Sequence, residues 1–243
     1  MKSRFRVFAG PNGSGKSSLF EYLRSTRYIH TEIYVSADRI EAELVKKEKF
    51  VFNAYRVKTS EEDFFKYIEN SSLWLYIKAE SPDKLFSLKG GILKVKKRAV
   101  NSYSASFIAG YLVEKLLNSG QSFCFETVMS HESKLDLFER AQNAGYKTYL
   151  YYVYTSNVEL NIARIKIRVM SGGHDVPDDK VRERFGRSLG LLSLAVDKSD
   201  IAFILDNTFN DFKIVGVKDN IELKWENKEL PEYFKSFEWF KKQ

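Results

Sequence analysis

Apolar residues along the chain come in two rhythms. In one they stand on consecutive positions for five or so residues, as in a strand buried on both faces. In the other they recur every three or four positions, as on one side of a helix. Phe5–Ala9, Glu32–Ser36, Ser122–Val128, Lys147–Tyr154 and Ile201–Asn207 follow the first rhythm. Ser18–Leu23, Ala37–Val45, Ser104–Asn118 and Glu132–Ala144 follow the second, as do helices starting near Ser156 and Asp178. Strands and helices alternate, which predicts an α/β fold: a parallel sheet of about five strands flanked by helices.

Two regions break the alternation. Residues 46–103 read as an inserted subdomain. Within it Ser60-Glu61-Glu62-Asp63 has the cap and acidic first turn of a helix. Gly90-Gly91 sits between apolar runs, as in a hairpin turn. Residues 208–243 read as a terminal hairpin, Phe212–Val217 with Ile221–Trp225, followed by an amphipathic helix over Glu229–Phe240. The whole of 1–243 reads as a single domain carrying these additions.

Composition is that of an ordinary globular protein, with 44% hydrophobic and 29% charged residues. The net charge of +7 suits anionic ligands without choosing among nucleotides, sugar phosphates and nucleic acid. Cys124 is the only cysteine and lies in an apolar run, so no internal disulfide forms. That fits a reducing compartment, and a cytoplasmic location is expected. No secretory signal and no membrane-spanning run is read from the sequence.

The residues that follow the first strand carry the chemistry. Gly10-Pro11-Asn12-Gly13-Ser14-Gly15-Lys16-Ser17 has the spacing G-x-x-x-x-G-K-S, a phosphate-binding loop between a strand and a helix. Its glycines let successive N–H groups point inward, and the helix aims its positive end at the same place. Lys16 then reaches the β- and γ-phosphates of ATP, Ser17 ligates Mg²⁺, and Ser18 completes the binding segment.

Asp38 stands at the second strand-to-helix junction, where it serves as a proton acceptor, as the holder of a magnesium-bound water, or as a helix cap. Glu126 and Thr127 end the third strand, where a carboxylate is costly unless used or paired. Later, Arg164 and Arg168 share a helix face four residues apart. A break at Ser171-Gly172-Gly173-His174-Asp175-Val176-Pro177 precedes Arg182, Arg184 and Arg187. Two arginine-bearing helices joined through glycines predict a movable lid, with salt-bridged surface arginines as the alternative. Asp206 closes the fifth strand but is not expected to be the magnesium carboxylate. No ABC-type signature sequence lies between the loop and that strand, and a small-molecule kinase is favoured.

Taken together, Gly10–Ser17, Ser36–Ile40, Phe125–Thr127 and the run from Arg164 through Gly172-Gly173-His174-Asp175-Val176-Pro177 to Leu189 resemble the zeta-toxin family of P-loop kinases. The branch often labelled predicted ABC-type ATPases is the most similar. The resemblance spans residues 4–45 and 104–207. It implies a P-loop NTPase fold of kinase type and an ATP/Mg²⁺-dependent phosphotransferase. Characterised zeta toxins phosphorylate UDP-N-acetylglucosamine on the sugar 3′-hydroxyl. By position, Asp38 becomes the general base and Arg164 or Arg168 stabilises the transferring phosphoryl. Glu126, Thr127, His174 and Arg184 border the acceptor. The third strand here continues Thr127-Val128-Met129-Ser130, where the best-known toxins have Gly-Thr and a nearby arginine.

Two other readings stand beside it. A polynucleotide or nucleoside kinase would use the basic stretch Lys84–Arg98. A nucleotide-gated binding module would close its lid for a partner protein, such as the small antitoxins that hold zeta-type toxins. Nucleic acid is the less favoured partner, and no membrane contact is expected.

Overall fold

The computed structural model describes residues 2–77, 79–173, 175–220 and 222–225. The chain forms two compact units. The first comprises residues 1–32 and 124–243, the second residues 33–123.

The first unit is built on strands β1 (Arg4–Ala9), β6 (Phe123–Thr127), β7 (Lys147–Tyr154), β8 (Ile201–Asp206), β9 (Lys213–Asp219) and β10 (Glu222–Trp225). Their spatial order is β10-β9-β8-β7-β1-β6. β1 runs parallel to β7 and β7 parallel to β8, as the alternating pattern predicts. β9 and β10 then add antiparallel to β8, which extends the sheet beyond its parallel core. The expected helix over Glu229–Phe240, like Ile221, lies outside the described residues.

The core of this sheet is aromatic. Phe8 stacks on Tyr151 at 4.9 Å, and Tyr151 on Phe203 at 5.2 Å. Helices α1 (Lys16–Ser25), α5 (Asp136–Asn143), α6 (Val158–Met170), α7 (Asp178–Gly190) and α8 (Leu192–Lys198) surround it. The expected continuous helix over 132–144 is instead a 3₁₀ turn at Glu132–Lys134 followed by α5. His131 caps that turn through its ring nitrogen and Ser133, which competes with a helical start.

Two polar clips tie the unit together away from the loop. Asp200 accepts from the Thr148 N–H at 2.7 Å and from its hydroxyl at 2.9 Å. Lys218 on β9 donates to the carbonyls of Val196, Asp197 and Ser199 at 2.7–2.9 Å. A cation there is favourable against the carbonyls at the end of α8.

The second unit holds β2 (Tyr34–Val35), α2 (Ala37–Lys47), β3 (Lys49–Val51), α3 (Glu61–Glu69), β4 (Phe86–Lys89), β5 (Ile92–Val95) and α4 (Ser102–Ser119). The antiparallel sheet β3-β5-β4 turns between β4 and β5 at Gly90 and Gly91, whose φ values are +59° and +77°. Both are in the left-handed region, as a two-residue hairpin turn demands. Asn101 caps α4 by accepting from the N–H groups of Tyr103 and Ser104.

A cluster of edge-to-face rings fills this unit. Phe52, Phe64 and Tyr111 lie 5.1–5.6 Å from one another between ring centres. The Tyr111 hydroxyl donates to Asp63 at 2.8 Å, and Asp63 is ion-paired with Lys115. Burial and the neighbouring carboxylate push the Tyr111 hydroxyl well above its ordinary range, so it stays a donor. At the open edge, the Leu88 N–H donates to the Glu61 carboxylate at 2.7 Å.

Candidate nucleotide-binding site

The loop Gly10–Ser17 joins β1 to α1, so its backbone emerges at the end of a buried strand and opens a helix. Gly10 has a φ of +135°, and a Cβ there would lie 2.0 Å from the Val153 carbonyl oxygen of β7. Gly13 has a φ of +77°, and a Cβ there would meet the Asn161 carbonyl oxygen at 2.5 Å. Both glycines are fixed by backbone approach as well as by dihedral angle.

Inside the curl, Lys16 is buried and donates to the Gly10 and Pro11 carbonyls, each at 2.9 Å. The Ser14 hydroxyl is fully buried and has no hydrogen-bond partner. The Asn12 side-chain oxygen is buried in the same way. A buried hydroxyl without a partner is costly in a folded protein unless a ligand meets it. The Ser14 donor, the Lys16 ammonium and the helix start are the donor set that phosphate oxygens require.

Ser17, exposed at the start of α1, donates to Glu126 Oε2 at 2.9 Å. The strand β6 therefore delivers its terminal carboxylate to the serine of the loop. A hydroxyl and a carboxylate oxygen side by side suit a hard divalent cation. No group of three or more His, Cys, Asp or Glu residues able to hold a metal occurs among the described residues. A magnesium ion held by these two residues would have to take its other ligands from phosphate and water, as is common for it. Thr127, next along β6, accepts from the Met129 N–H at 3.1 Å and so shapes the following turn. Ser18 is exposed on α1.

Two asparagines clamp the loop from outside. Asn161 of α6 donates to the Asn12 carbonyl at 2.7 Å and accepts from Thr155. Asn207, just beyond β8, donates to the Ser14 carbonyl at 2.8 Å. Neither residue stands out as a site residue in the sequence. The available signal was a polar residue on the buried side of α6, one helical turn from Ile165, and another ending an apolar strand.

The arginines divide. Arg164 of α6 donates through Nη2 to the carbonyls of Asn207 and Thr208 and to Asn210 Oδ1, at 2.8–3.1 Å. Burial lowers its pKa, and Asp206 opposes that. Arg168 packs its stem against Gly173. Arg182 is ion-paired to Glu159, and Arg187 to Glu183 at 3.2 Å. For those two the salt-bridged reading holds. Arg184 is half-buried on α7. His174 lies outside the described residues. The two helices and the break between them share a small core of Ile162, Ile165, Val176 and Val181. Lys166 and Asp178 add an ion pair at 2.9 Å across the break. Ser188 anchors α7 by donating to the Val128 carbonyl at 2.6 Å and pairing with the Tyr152 hydroxyl at 2.9 Å.

Asp206 accepts from the N–H and hydroxyl of Thr208 at 2.7 and 2.5 Å. It caps its own loop. Asp38 belongs to the second unit. It sits half-buried in the first turn of α2, two residues past the N-cap position of Ser36.

The Zeta toxin family model matches residues 95–207, from the end of β5 to the asparagine that clamps the loop. This is a zeta-toxin-like P-loop fold. An uncharacterised protein of Haemophilus influenzae is 38% identical over 63 residues, which are 26% of this chain and 45% of that protein. The crystal structure of the AvrRxo1-ORF1:AvrRxo1-ORF2 complex with sulphate ions is similar at a TM-score of 0.60 and 15% identity. The match covers 94% of this chain and 62% of that one. The same complex crystallised with ATP matches at 0.60 and 16%, covering 93% and 61%. The chain thus spans less than two thirds of each of these proteins. Among the described residues, no helix is long and apolar enough to cross a membrane.

Proposed function

We propose that the protein is an ATP- and Mg²⁺-dependent kinase that phosphorylates a hydroxyl of a small acceptor. The observation that carries this reading is the hydrogen bond from Ser17 to Glu126 beside a loop whose Ser14 hydroxyl is buried without a partner. ATP supplies the transferable phosphoryl group and Mg²⁺ neutralises the charge on its oxygens. Lys16 exchanges the Gly10 and Pro11 carbonyls for phosphate oxygens. Ser17 and Glu126 hold the metal side. Arg168, Arg184 and His174 are the candidates for the charge on the transferring group and for the acceptor.

Asp38 is the proposed base for the acceptor hydroxyl, by its likeness to the zeta-toxin motif. A UDP-amino sugar is the first acceptor to try, since the characterised toxins act on one. A protein partner that covers the loop belongs to the same reading; the AvrRxo1 crystals hold two proteins, ORF1 and ORF2.

Incubation with ATP, Mg²⁺ and a panel of nucleotide sugars, read by mass spectrometry, is expected to give a product heavier by one phosphoryl group. Asp38→Ala should lower turnover more than tenfold, which is about 1.4 kcal/mol of barrier. Turnover within tenfold of the unaltered protein removes Asp38 as the base.

The exposed side of the β3-β5-β4 sheet supports a second reading. Lys49 and Lys94 stand directly opposite each other there, and Lys89 lies on the same face. Like charges in that position repel unless an anion meets them. A nucleic-acid acceptor would supply it. End-labelling of RNA or DNA oligonucleotides, with binding that weakens steeply in salt, is the result that would favour this reading.

A further inference from the structure

The loop after β8 is built in a way that holding the phosphate cradle does not explain. Asn210 and Phe212 have φ values of +64° and +43°. A bulky aromatic residue in the left-handed region is a strained conformation, and such strain gathers at ligand sites. Phe212 brings its ring edge to 3.5 Å from where a Cβ of Gly15 would stand, so this loop abuts the phosphate-binding loop. Phe209 is 77% exposed, with the Lys213 ammonium 5.7 Å from its ring centre. The Asn207 side-chain oxygen is buried with no hydrogen-bond partner, as is Nη1 of Arg164. Three bonds from Arg164 Nη2 fix the loop along residues 207, 208 and 210.

We infer that residues 207–212 are the platform for the nucleobase of the donor, with Phe209 stacking on the base and Arg164 positioning the loop. The inference rests on the nucleoside triphosphate reading of the phosphate loop. An exposed ring on a loop that abuts the phosphate cradle offers a planar heteroaromatic group a face to cover. The aromatic face carries the selection, because a phenyl ring has no hydrogen-bonding group with which to tell one base from another. Stacking tolerates any base and favours the larger rings. The donor site is therefore broad. GTP binds nearly as well as ATP, and CTP and UTP bind less well.

Calorimetric titration with ATP, GTP, CTP and inorganic tripolyphosphate, all with Mg²⁺, tests this without any acceptor. The unaltered protein should bind ATP at least tenfold tighter than tripolyphosphate, and GTP within about threefold of ATP, a margin set by stacking alone. Phe209→Ala should weaken ATP about tenfold and leave tripolyphosphate unchanged; Phe209→Trp should restore ATP. Arg164→Ala should erode the same preference of ATP over tripolyphosphate. Equal losses for both ligands in Phe209→Ala, or no loss for either, overturn the platform. A protein that binds tripolyphosphate in a Lys16-dependent way, but ATP no better, has the phosphate loop without the platform. Binding of neither ligand ends both readings.

Discussion

The two units spend their interiors differently. In the first, buried polar side chains gather around the phosphate loop: Asn12, Ser14, Lys16, Asn161 and Asn207 are all buried. In the second, only Ser36 and Ser104 of the described polar residues are buried, and rings fill the space. Ring packing, even with its edge-to-face preference, fixes a shape rather than the position of one atom. Buried amides are directional and fix positions of single atoms, at the risk of an unpaired group. An interior that must hold a single carbonyl in place uses the second means; one that must only fill space can use the first.

Substitutions can break this contrast, beginning with the largest effect. Phe64→Ala removes a fully buried ring from the middle of the second unit's cluster. It should cost about 3–5 kcal/mol, read as a fall in the denaturation midpoint of that unit. Asn207→Ala deletes far less volume but leaves the Ser14 carbonyl without its donor. A loss of about 1–3 kcal/mol is expected, with a drop in nucleotide affinity that Phe64→Leu does not cause. If both lower affinity equally, the polar clamp has no special place.

The smallest effect is one of pH. The hydrogen bond from Lys115 holds the Asp63 carboxyl below its usual range, with Tyr111 adding to it and partial burial opposing. A carboxyl lowered on folding stabilises above its unfolded pKa, near 3.9. That stabilisation fades as pH falls through the lower, folded value. Asp63→Asn should therefore narrow the stability difference between neutral and acid solution, and salt should narrow it further because the pair is half-exposed. Equal acid sensitivity of the two proteins would remove the ion pair from the account.

How much of this was legible follows the same division. The strand–loop–helix of residues 4–25 and the parallel core are written in local rhythm and spacing, and the structure keeps them. The Gly90-Gly91 turn is equally local. The bond from Ser17 to Glu126 spans 109 residues, and the Asn207 clamp spans 193. No periodicity reports a pairing of that range. Glu126 could be singled out because a carboxylate ending an apolar strand is conspicuous. Asn207 could not, because an asparagine after a strand is an ordinary turn residue. The short α8 (Leu192–Lys198) and β3 escaped notice for another reason: each is too brief for a repeat to show.

The carboxylate of Glu61 has a consequence of its own. The sheet β3-β5-β4 ends on β4, whose outward N–H at Leu88 would otherwise offer a template to a stray strand. The first residue of a helix closes that opening with a charge. A small apolar hairpin, rich in lysine on one side and in rings on the other, is thereby kept from adding copies of itself edge to edge, the growth step of an amyloid fibre.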